Sequence, residues 1–97
     1  MSTLVTERDV FAESVQFSDD SVTVGLDDGR SISVPLAWYP RLLHGTAQER
    51  MQFELIGDGE GIHWPALDED ISVEGLIAGK RSAESDVSLA RWLDKRR

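Results

Sequence analysis

The chain has 97 residues, a formal net charge of −8 and no cysteine. This length predicts one domain with a modest core. The lack of cysteine excludes disulfides and thiolate metal sites and is typical of a reducing compartment. No apolar run has the length of a membrane span, and residues 1–7 lack the order of a signal peptide, so we expect a cytoplasmic protein with no membrane partner.

The charge is distributed unevenly along the chain. Residues 80–97 hold six basic and three acidic residues, whereas residues 1–79 hold four basic and fifteen acidic ones. An acidic body argues against nonspecific binding of nucleic acid, and the basic tail permits a local contact with an acidic partner. Simple solvation of both charged faces is the favoured interpretation.

Residues 1–12 show no clear period and predict a loose extension or an edge strand. From Glu13 onward, apolar and polar residues alternate in segments separated by turns at Asp19-Asp20 and Asp28-Gly29. The pattern predicts a three-stranded antiparallel meander with one buried face. The residues expected on that face are Val15, Phe17, Val22, Val24, Leu26, Ile32 and Val34.

Short helices are predicted after the meander. Pro35 ends the third strand because proline has no ladder donor. A helical turn around Arg41–His44, closed by Gly45, comes next. A second helix over about 47–51 follows, with a capping box formed by Thr46 and Glu49.

A second, shorter hairpin is predicted over residues 52–64, with a glycine-rich turn at 57–61. Pro65 keeps the preceding residue extended. We then expect a helix from about Ile71 to Ala78, with Asp68 or Asp70 as its N-cap. Leu67, Ile71 and Leu76 are predicted to face the sheet, and Gly79 is predicted to end the helix.

A last helix is predicted over residues 86–97, with Leu89, Trp92 and Leu93 on one face. Packing of this face on the sheet is favoured; a protruding helix would instead bind a partner through Trp92, Arg91 and Lys95. Reading of DNA by Arg91, Lys95, Arg96 and Arg97 is disfavoured because no helix-turn-helix pattern is present.

Together these segments predict an α+β fold. A small antiparallel sheet, made of a three-stranded meander plus a short second hairpin, is packed with two or three short helices. The predicted organisation is an extension over 1–12, one domain over 13–79 and a basic helical segment over 80–97. We expect a monomer or a small homo-oligomer.

The candidate chemical motifs are weak. The Gly57–Gly61 turn lacks the following helix that a phosphate loop requires, and its two acids repel phosphate. His63 beside Asp68, Glu69 and Asp70 suggests a metal site, but the second histidine, His44, lies in another segment. Helix capping explains the acids better, and no serine has the base and oxyanion donors of a nucleophile. No catalytic residue, metal site or cofactor is predicted.

The segment from His63 to Ser72, HWPALDEDIS, with Gly75-Leu76-Ile77 after it, resembles the signature of the bacterial domain-of-unknown-function 2442 family. The segment 35–42, PLAWYPRL, and the residues Ala47, Glu49 and Arg50 extend the likeness, which covers about residues 13–79. The resemblance implies a small α+β domain without established activity. It also implies a neighbouring second small protein, in an arrangement like that of toxin–antitoxin pairs.

Some members of that family carry a helix-turn-helix domain after this one. Residues 80–97 are too few for such a domain, which argues against direct nucleic-acid binding by this chain. The resemblance implies no catalytic residue.

Three functional hypotheses follow. The first is a non-enzymatic protein-binding module, the antitoxin-like half of a pair, whose partner is encoded by a neighbouring gene; its contact residues would be Trp38, Tyr39, His63, Trp64, Trp92, Arg91 and Lys95. The second is an acidic inhibitor that mimics nucleic acid through Asp19, Asp20, Asp27, Asp28, Asp58 and Glu60. The third is a metal- or ligand-dependent enzyme centred on His63 and Asp68.

Overall fold

The computed structural model describes residues 10–96, which form two three-stranded antiparallel sheets and four short α-helices. The strands of the first sheet are β1 (Ala12–Phe17), β2 (Ser21–Leu26) and β3 (Ser31–Pro35). The strands of the second sheet are β4 (Glu54–Ile56), β5 (Gly61–Trp64) and β6 (Glu69–Ser72). The helices are α1 (Pro40–His44), α2 (Ala47–Arg50), α3 (Val73–Ile77) and α4 (Asp86–Lys95). The predicted α+β class is confirmed.

The first sheet is the predicted meander, in the order β1-β2-β3. Its predicted inward residues are all buried or half-buried against the core, because period-two alternation turns one face of each strand inward. The turn between β2 and β3 contains Gly29 at φ +94°, and the Gly29 amide donates to the Leu26 carbonyl at 3.2 Å. The predicted Asp28-Gly29 hairpin is therefore confirmed.

The connection between the sheets contains a 3₁₀ turn over Leu36–Trp38 followed by α1 and α2. Pro40 occupies the first position of α1, where its missing N–H costs nothing. The Thr46 hydroxyl accepts from the Glu49 amide while the Glu49 carboxylate accepts from the Thr46 amide, which confirms the predicted capping box.

The second sheet corrects the prediction for residues 68–72. We expected a hairpin followed by a helix from Ile71, but Glu69–Ser72 form a third strand, and α3 begins only at Val73. Ile71 pairs with Ile62 and is buried, so the extended conformation completes the inner face of the sheet. Asp68 and Asp70 cap no helix; the N-cap is Ser72, whose hydroxyl accepts from the Gly75 amide.

The end of α3 follows the prediction. Gly79 has φ +73°, its amide donates to the Leu76 carbonyl, and the Lys80 amide donates to the Gly75 carbonyl. This is a Schellman motif, which needs a residue in the left-handed region just after the helix.

Both sheets contribute to a single apolar core, and Trp64 lies within it with no exposed surface. The indole meets Phe17 of the first sheet edge-to-face at a centroid distance of 6.3 Å and Phe53 at 6.2 Å. Its Nε1–H donates to the Arg50 carbonyl at 3.0 Å, which satisfies its one polar atom. None of the helices within residues 10–96 is long and apolar enough to cross a membrane.

The two sheets also meet backbone to backbone at Gly59, in the turn between β4 and β5. Gly59 has φ +112°, and a Cβ at this position would lie 2.4 Å from the Ala12 carbonyl oxygen. Only glycine permits both the positive φ and this close approach to β1.

Substitution of Gly59 by alanine tests this contact. Gly59→Ala adds a clash with backbone to an unfavourable φ, and we expect a loss of about 3 kcal/mol in the free energy of unfolding. Gly29→Ala is the matched control: it has a similar φ of +94° with nothing within 4 Å, so it should cost only about 1 kcal/mol. Urea unfolding of both variants measures the difference, and equal losses would contradict the assigned contact.

Candidate functional site

The solvent-facing side of the second sheet, here named the outer face, is the candidate site. Strand register aligns two rows across it: Glu54–His63–Asp70 and Ile56–Gly61–Ser72. Side chains alternate along each strand. The opposite side therefore directs Ile62, Trp64 and Ile71 into the core.

The outer face holds His63 between carboxylates. The His63 Nδ1 atom lies 2.5 Å from Asp70 Oδ1, and the two side chains are 31% and 69% exposed. Glu54 is the register partner of His63 on the other strand. The hydrogen bond to Asp70 orients the imidazole. Within residues 10–96, no serine hydroxyl is hydrogen-bonded to it.

A groove borders this face. It has a volume of about 520 Å³, and its lining combines apolar residues with three acids. The lining residues are Val10, Ile56, Glu60, Gly61, Asp70, Ile71, Ser72, Val73 and Glu74. Such a lining is chemically suited to a cationic side chain with an apolar stem, such as lysine or arginine.

The metal hypothesis lacks converging ligands. In the stretch 10–96, no three histidine, aspartate or glutamate side chains are placed to share an ion. Asp68 is directed to Arg41, whose Nη1 lies 3.2 Å from Asp68 Oδ2, and Glu69 lies on the inner side of β6. His44 is exposed at the end of α1. The His63–Asp68 centre is therefore not assembled.

The acids of the mimicry hypothesis are dispersed. Asp19 and Asp20 lie in the turn before β2, whereas Asp27 and Asp28 lie in the turn after it. Six strand residues separate the two turns, which corresponds to about 20 Å. Asp28 is bonded to Arg30. These aspartates do not form the continuous negative surface that a nucleic-acid mimic needs.

Most of the predicted contact residues lie away from the outer face. Trp64 is in the core, and Tyr39 is 5% exposed, with its hydroxyl donating to the Lys80 carbonyl at 2.9 Å. Trp38 is half-buried beneath the Arg81 guanidinium, which lies 4.6 Å from its ring centroid. The side chains of Trp64 and Tyr39 therefore offer almost no surface to a partner in this fold.

Arg41 links α1 to the C-terminal part of the chain. Its guanidinium donates to both Glu84 oxygens at 2.6 and 2.8 Å and lies 5.3 Å from the Trp92 ring centroid. Arg41 and Glu84 side chains are 16% and 7% exposed, so water weakens this pair little. The hydrogen bonds lower the pKa of Glu84 and raise the pKa of Arg41.

A second guanidinium covers the other side of the C-terminal contact. Arg96 donates to both oxygens of Glu49 and lies 4.6 Å from the Trp92 ring centroid. The Arg96 hydrogen bonds lower the pKa of Glu49 to about 2. Trp92 is half-buried against the core, so α4 is held beside α1 and α2 by one aromatic ring and two arginines.

Two other basic residues of α4, Arg91 and Lys95, form no ion pair within residues 10–96. They line a shallow patch together with the exposed Val87. Arg97 lies outside the described residues. Arg96, another of the four basic residues considered for DNA reading, is hydrogen-bonded to Glu49 within the fold.

Replacement of Arg41 by lysine tests how α4 is held. Arg41→Lys keeps the charge but loses the paired hydrogen bonds and the stacking on Trp92, so we expect hydrogen exchange of the α4 amides to accelerate about tenfold. Arg91→Lys is the control on the same helix and should leave exchange unchanged. Equal behaviour of the two variants would show that Arg41 does not hold the helix.

Glu69 is a half-buried ionisable group that the sequence pattern did not reveal. As the register partner of Trp64 it lies on the inner side of β6, near Tyr39. Burial raises the pKa of Glu69 to about 7, and the carboxylates of Glu84 and Asp70 add to that increase. The signal that could have located it is the alternation of Ile62, Trp64 and Ile71, which places residue 69 inward.

The raised pKa of Glu69 predicts a pH-dependent stability. Its proton is bound more tightly in the folded state, so its contribution is complete below the ordinary pKa of 4.5 and is lost as pH rises to about 7. After allowance for partial solvent exposure, we expect a loss of roughly 1–2 kcal/mol across that window. Glu49, with its pKa of about 2, loses its own contribution only at lower pH.

Denaturant unfolding between about pH 4.5 and pH 8 measures this loss. Glu69→Gln should remove the decrease in the free energy of unfolding with pH. Above pH 7 this variant should have a larger free energy of unfolding than the parent. Glu74→Gln, at an exposed glutamate of α3, is the control and should keep the slope. A parental stability that rises with pH over this range would contradict the placement of Glu69.

A family model described as "Protein of unknown function (DUF2442)" matches residues 12–82. The chain belongs to this family. The resemblance noted in the sequence is thereby confirmed. None of the curated proteins matches the chain.

Two solved structures are similar in fold. One is a crystal structure of a protein of unknown function from Rhodospirillum rubrum ATCC 11170, with 27% identity and a TM-score of 0.66; the match covers 77% of this chain and 93% of that one. The other is the solution NMR structure of the uncharacterized protein CV0863 from Chromobacterium violaceum. It has 22% identity and a TM-score of 0.65, with coverage of 89% and 75%. The second likeness concerns the fold alone.

Proposed function

We propose that this DUF2442 protein is a non-enzymatic binding module that engages a basic protein through the outer face of its second sheet. The partner is the product of a neighbouring gene, and this chain is the antitoxin-like half of the pair. The observation that carries the proposal is the groove beside the outer face, whose lining combines the acids Glu60, Asp70 and Glu74 with apolar residues.

The composition of the groove supports a protein partner. Isolated exposed apolar residues are normal, but a groove whose lining combines apolar residues with charges is typical of a protein contact. Ile56 supplies an exposed apolar side chain at the groove. The three acids of the lining then select a partner that presents lysine or arginine.

The charge of the whole chain supports a basic partner in particular. With a formal net charge of −8, the protein attracts a cationic protein over long range and repels anionic ones. Complementary charge chiefly increases the rate of encounter and the selectivity for the partner. The apolar residues add to the lifetime of the complex.

The chemistry of His63 also favours recognition over catalysis. One imidazole nitrogen is engaged with Asp70, and within residues 10–96 the pair has neither a nucleophile bonded to it nor a third metal ligand. A partly exposed His–Asp pair on a sheet face can donate and accept hydrogen bonds at an interface.

Coexpression with the product of each neighbouring gene tests the proposal. We expect one of these proteins to be basic and to co-elute with this chain at a fixed stoichiometry. Failure of both neighbouring products to bind would overturn the proposal.

Charge reversal then tests the location of the contact. The double variant Glu60→Lys, Glu74→Lys should weaken the complex at least tenfold, which is about 1.4 kcal/mol. Asp86→Lys is a matched control, since Glu74 and Asp86 both lie exposed in the first turn of a helix, α3 and α4 respectively. Equal weakening by both changes would place the contact elsewhere.

The antitoxin-like role has its own measurement. Expression of the bound neighbour alone should arrest growth of the host, and coexpression of this chain should restore it. The Glu60→Lys, Glu74→Lys variant should restore growth less well than Asp86→Lys. A partner that binds but causes no arrest would limit the function to binding.

A further inference from the structure

The geometry of the second sheet points to how the partner binds: we propose that an extended, basic segment of the partner adds to the open edge of β4 as a fourth strand. This inference rests on the proposed function and names the contact that achieves it. Strand addition supplies affinity through backbone hydrogen bonds and selectivity through alternate side chains.

The edge of β4 is open within the described chain. The second sheet has the order β4-β5-β6, so β4 has β5 as its partner on one side and no described strand on the other. A strand bonds to each neighbour through alternate residues, so a strand with one neighbour retains unpaired backbone groups. All three residues of β4 are exposed.

The side chains of β4 are unusually apolar for an edge. Leu55 is 42% and Ile56 47% exposed, and Met51, a few residues earlier, is also exposed. Of the features that commonly protect natural edges, β4 has its short length and the charge of Glu54, but it has no lysine, proline or bulge. An added strand would cover Leu55 on one side of the sheet and Ile56 on the other.

The other sheet edges fit a basic strand less well. At β1, the turn formed by residues 57–59 lies against Ala12 and leaves less room for an added strand. β3 carries Ser31 and Ser33 and ends in Pro35, which provides neither acids nor large exposed apolar residues. β6 runs directly into α3, and its residues line a cavity together with the basic residues Lys80 and Arg81.

Charge decides between a second copy of this chain and a basic segment. Glu54 lies in β4, and the exposed acids Asp58 and Glu60 follow it closely. A second copy would bring the same carboxylates to the edge, together with its own charge of −8. Like charges across a strand pair are destabilising, whereas lysine opposite Glu54 is favourable.

The register defines the chemistry of the added strand. Residues opposite Glu54 and Ile56 point to the outer face, toward the carboxylates, and the residue between them points to the side of Leu55. Lysine suits the outer positions, because its stem covers Ile56 while its ammonium reaches Glu54 or Glu60. A β-branched apolar residue suits the position beside Leu55.

A nine-residue peptide of alternating lysine and valine is the probe for this site. Titration into the ¹⁵N-labelled protein should give saturable shifts centred on residues 54–56, and these amides should become protected from hydrogen exchange. A peptide with glutamate in place of lysine should bind at least tenfold more weakly. Absence of binding, or shifts centred on α4, would overturn the inference.

Methylation of the peptide backbone separates strand addition from simple charge attraction. Two forms are compared, one methylated at every valine amide and one at every lysine amide. Because a strand uses alternate amides toward one neighbour, one form should lose binding at least tenfold while the other retains it. Equal binding of both forms would overturn the inference.

Charge reversal on the protein completes the test. Glu54→Lys should weaken peptide binding about tenfold, whereas Glu13→Lys, at an exposed glutamate of β1, should not change it. Protection of the β4 amides in the free protein would instead show that the chain's own residues 1–9 or a second copy occupy the edge. Either finding would overturn the inference.

The outcome is distinguishable from that of the proposed function. A neighbouring protein that binds without protecting residues 54–56, and is insensitive to Glu54→Lys, would preserve the binding function and reject strand addition. A peptide that binds at β4 while both neighbouring products fail to bind would preserve the strand site and reject the proposed partner.

Discussion

The burial of Trp64 is the constraint on which the rest of the structure depends. Its ring is the place where the second sheet meets Phe17 of the first sheet and Phe53 of the connection, with its N–H satisfied by the Arg50 carbonyl. A small domain has few large side chains with which to form a core, so one fully buried indole fixes the relative position of several elements. The two sheets also approach closely at a second point, where Gly59 lies against β1.

Fixing Trp64 inward determines what the outer face presents. Because side chains alternate, the same strand that buries Ile62 and Trp64 must expose His63, and β6 must expose Asp70 opposite it. The same alternation places Glu69 on the inner side of β6. Burial there raises the pKa of its carboxyl group, so it holds its proton more tightly. The acidic outer face and the half-buried acid Glu69 thus have one origin in strand geometry.

The meander, the capping box and the glycine stop after α3 could be predicted because each depends on local signals, namely alternation, Asp28-Gly29, Thr46 with Glu49, and Gly79. The strand β6 could not be predicted in this way. Asp68-Glu69-Asp70 before an apolar residue is typical of a helix start, and only pairing with β5 shows that Ile71 completes the inner face. The outer face could not be predicted for the same reason. Its rows combine residues from three strands, and the register between these strands cannot be derived from the sequence.

The C-terminal helix and the outer face are connected through Arg41. This guanidinium holds α4 through Glu84 and Trp92, and it also donates to the carbonyl and carboxylate of Asp68, in the turn that leads into β6. Asp68 has φ +52°, a conformation that the Arg41 bonds help to stabilise. Since Asp70 follows two residues later, displacement of α4 would remove one support from the strand that carries the acid facing His63. The C-terminal segment therefore contributes to the outer face indirectly, by stabilising the turn before β6.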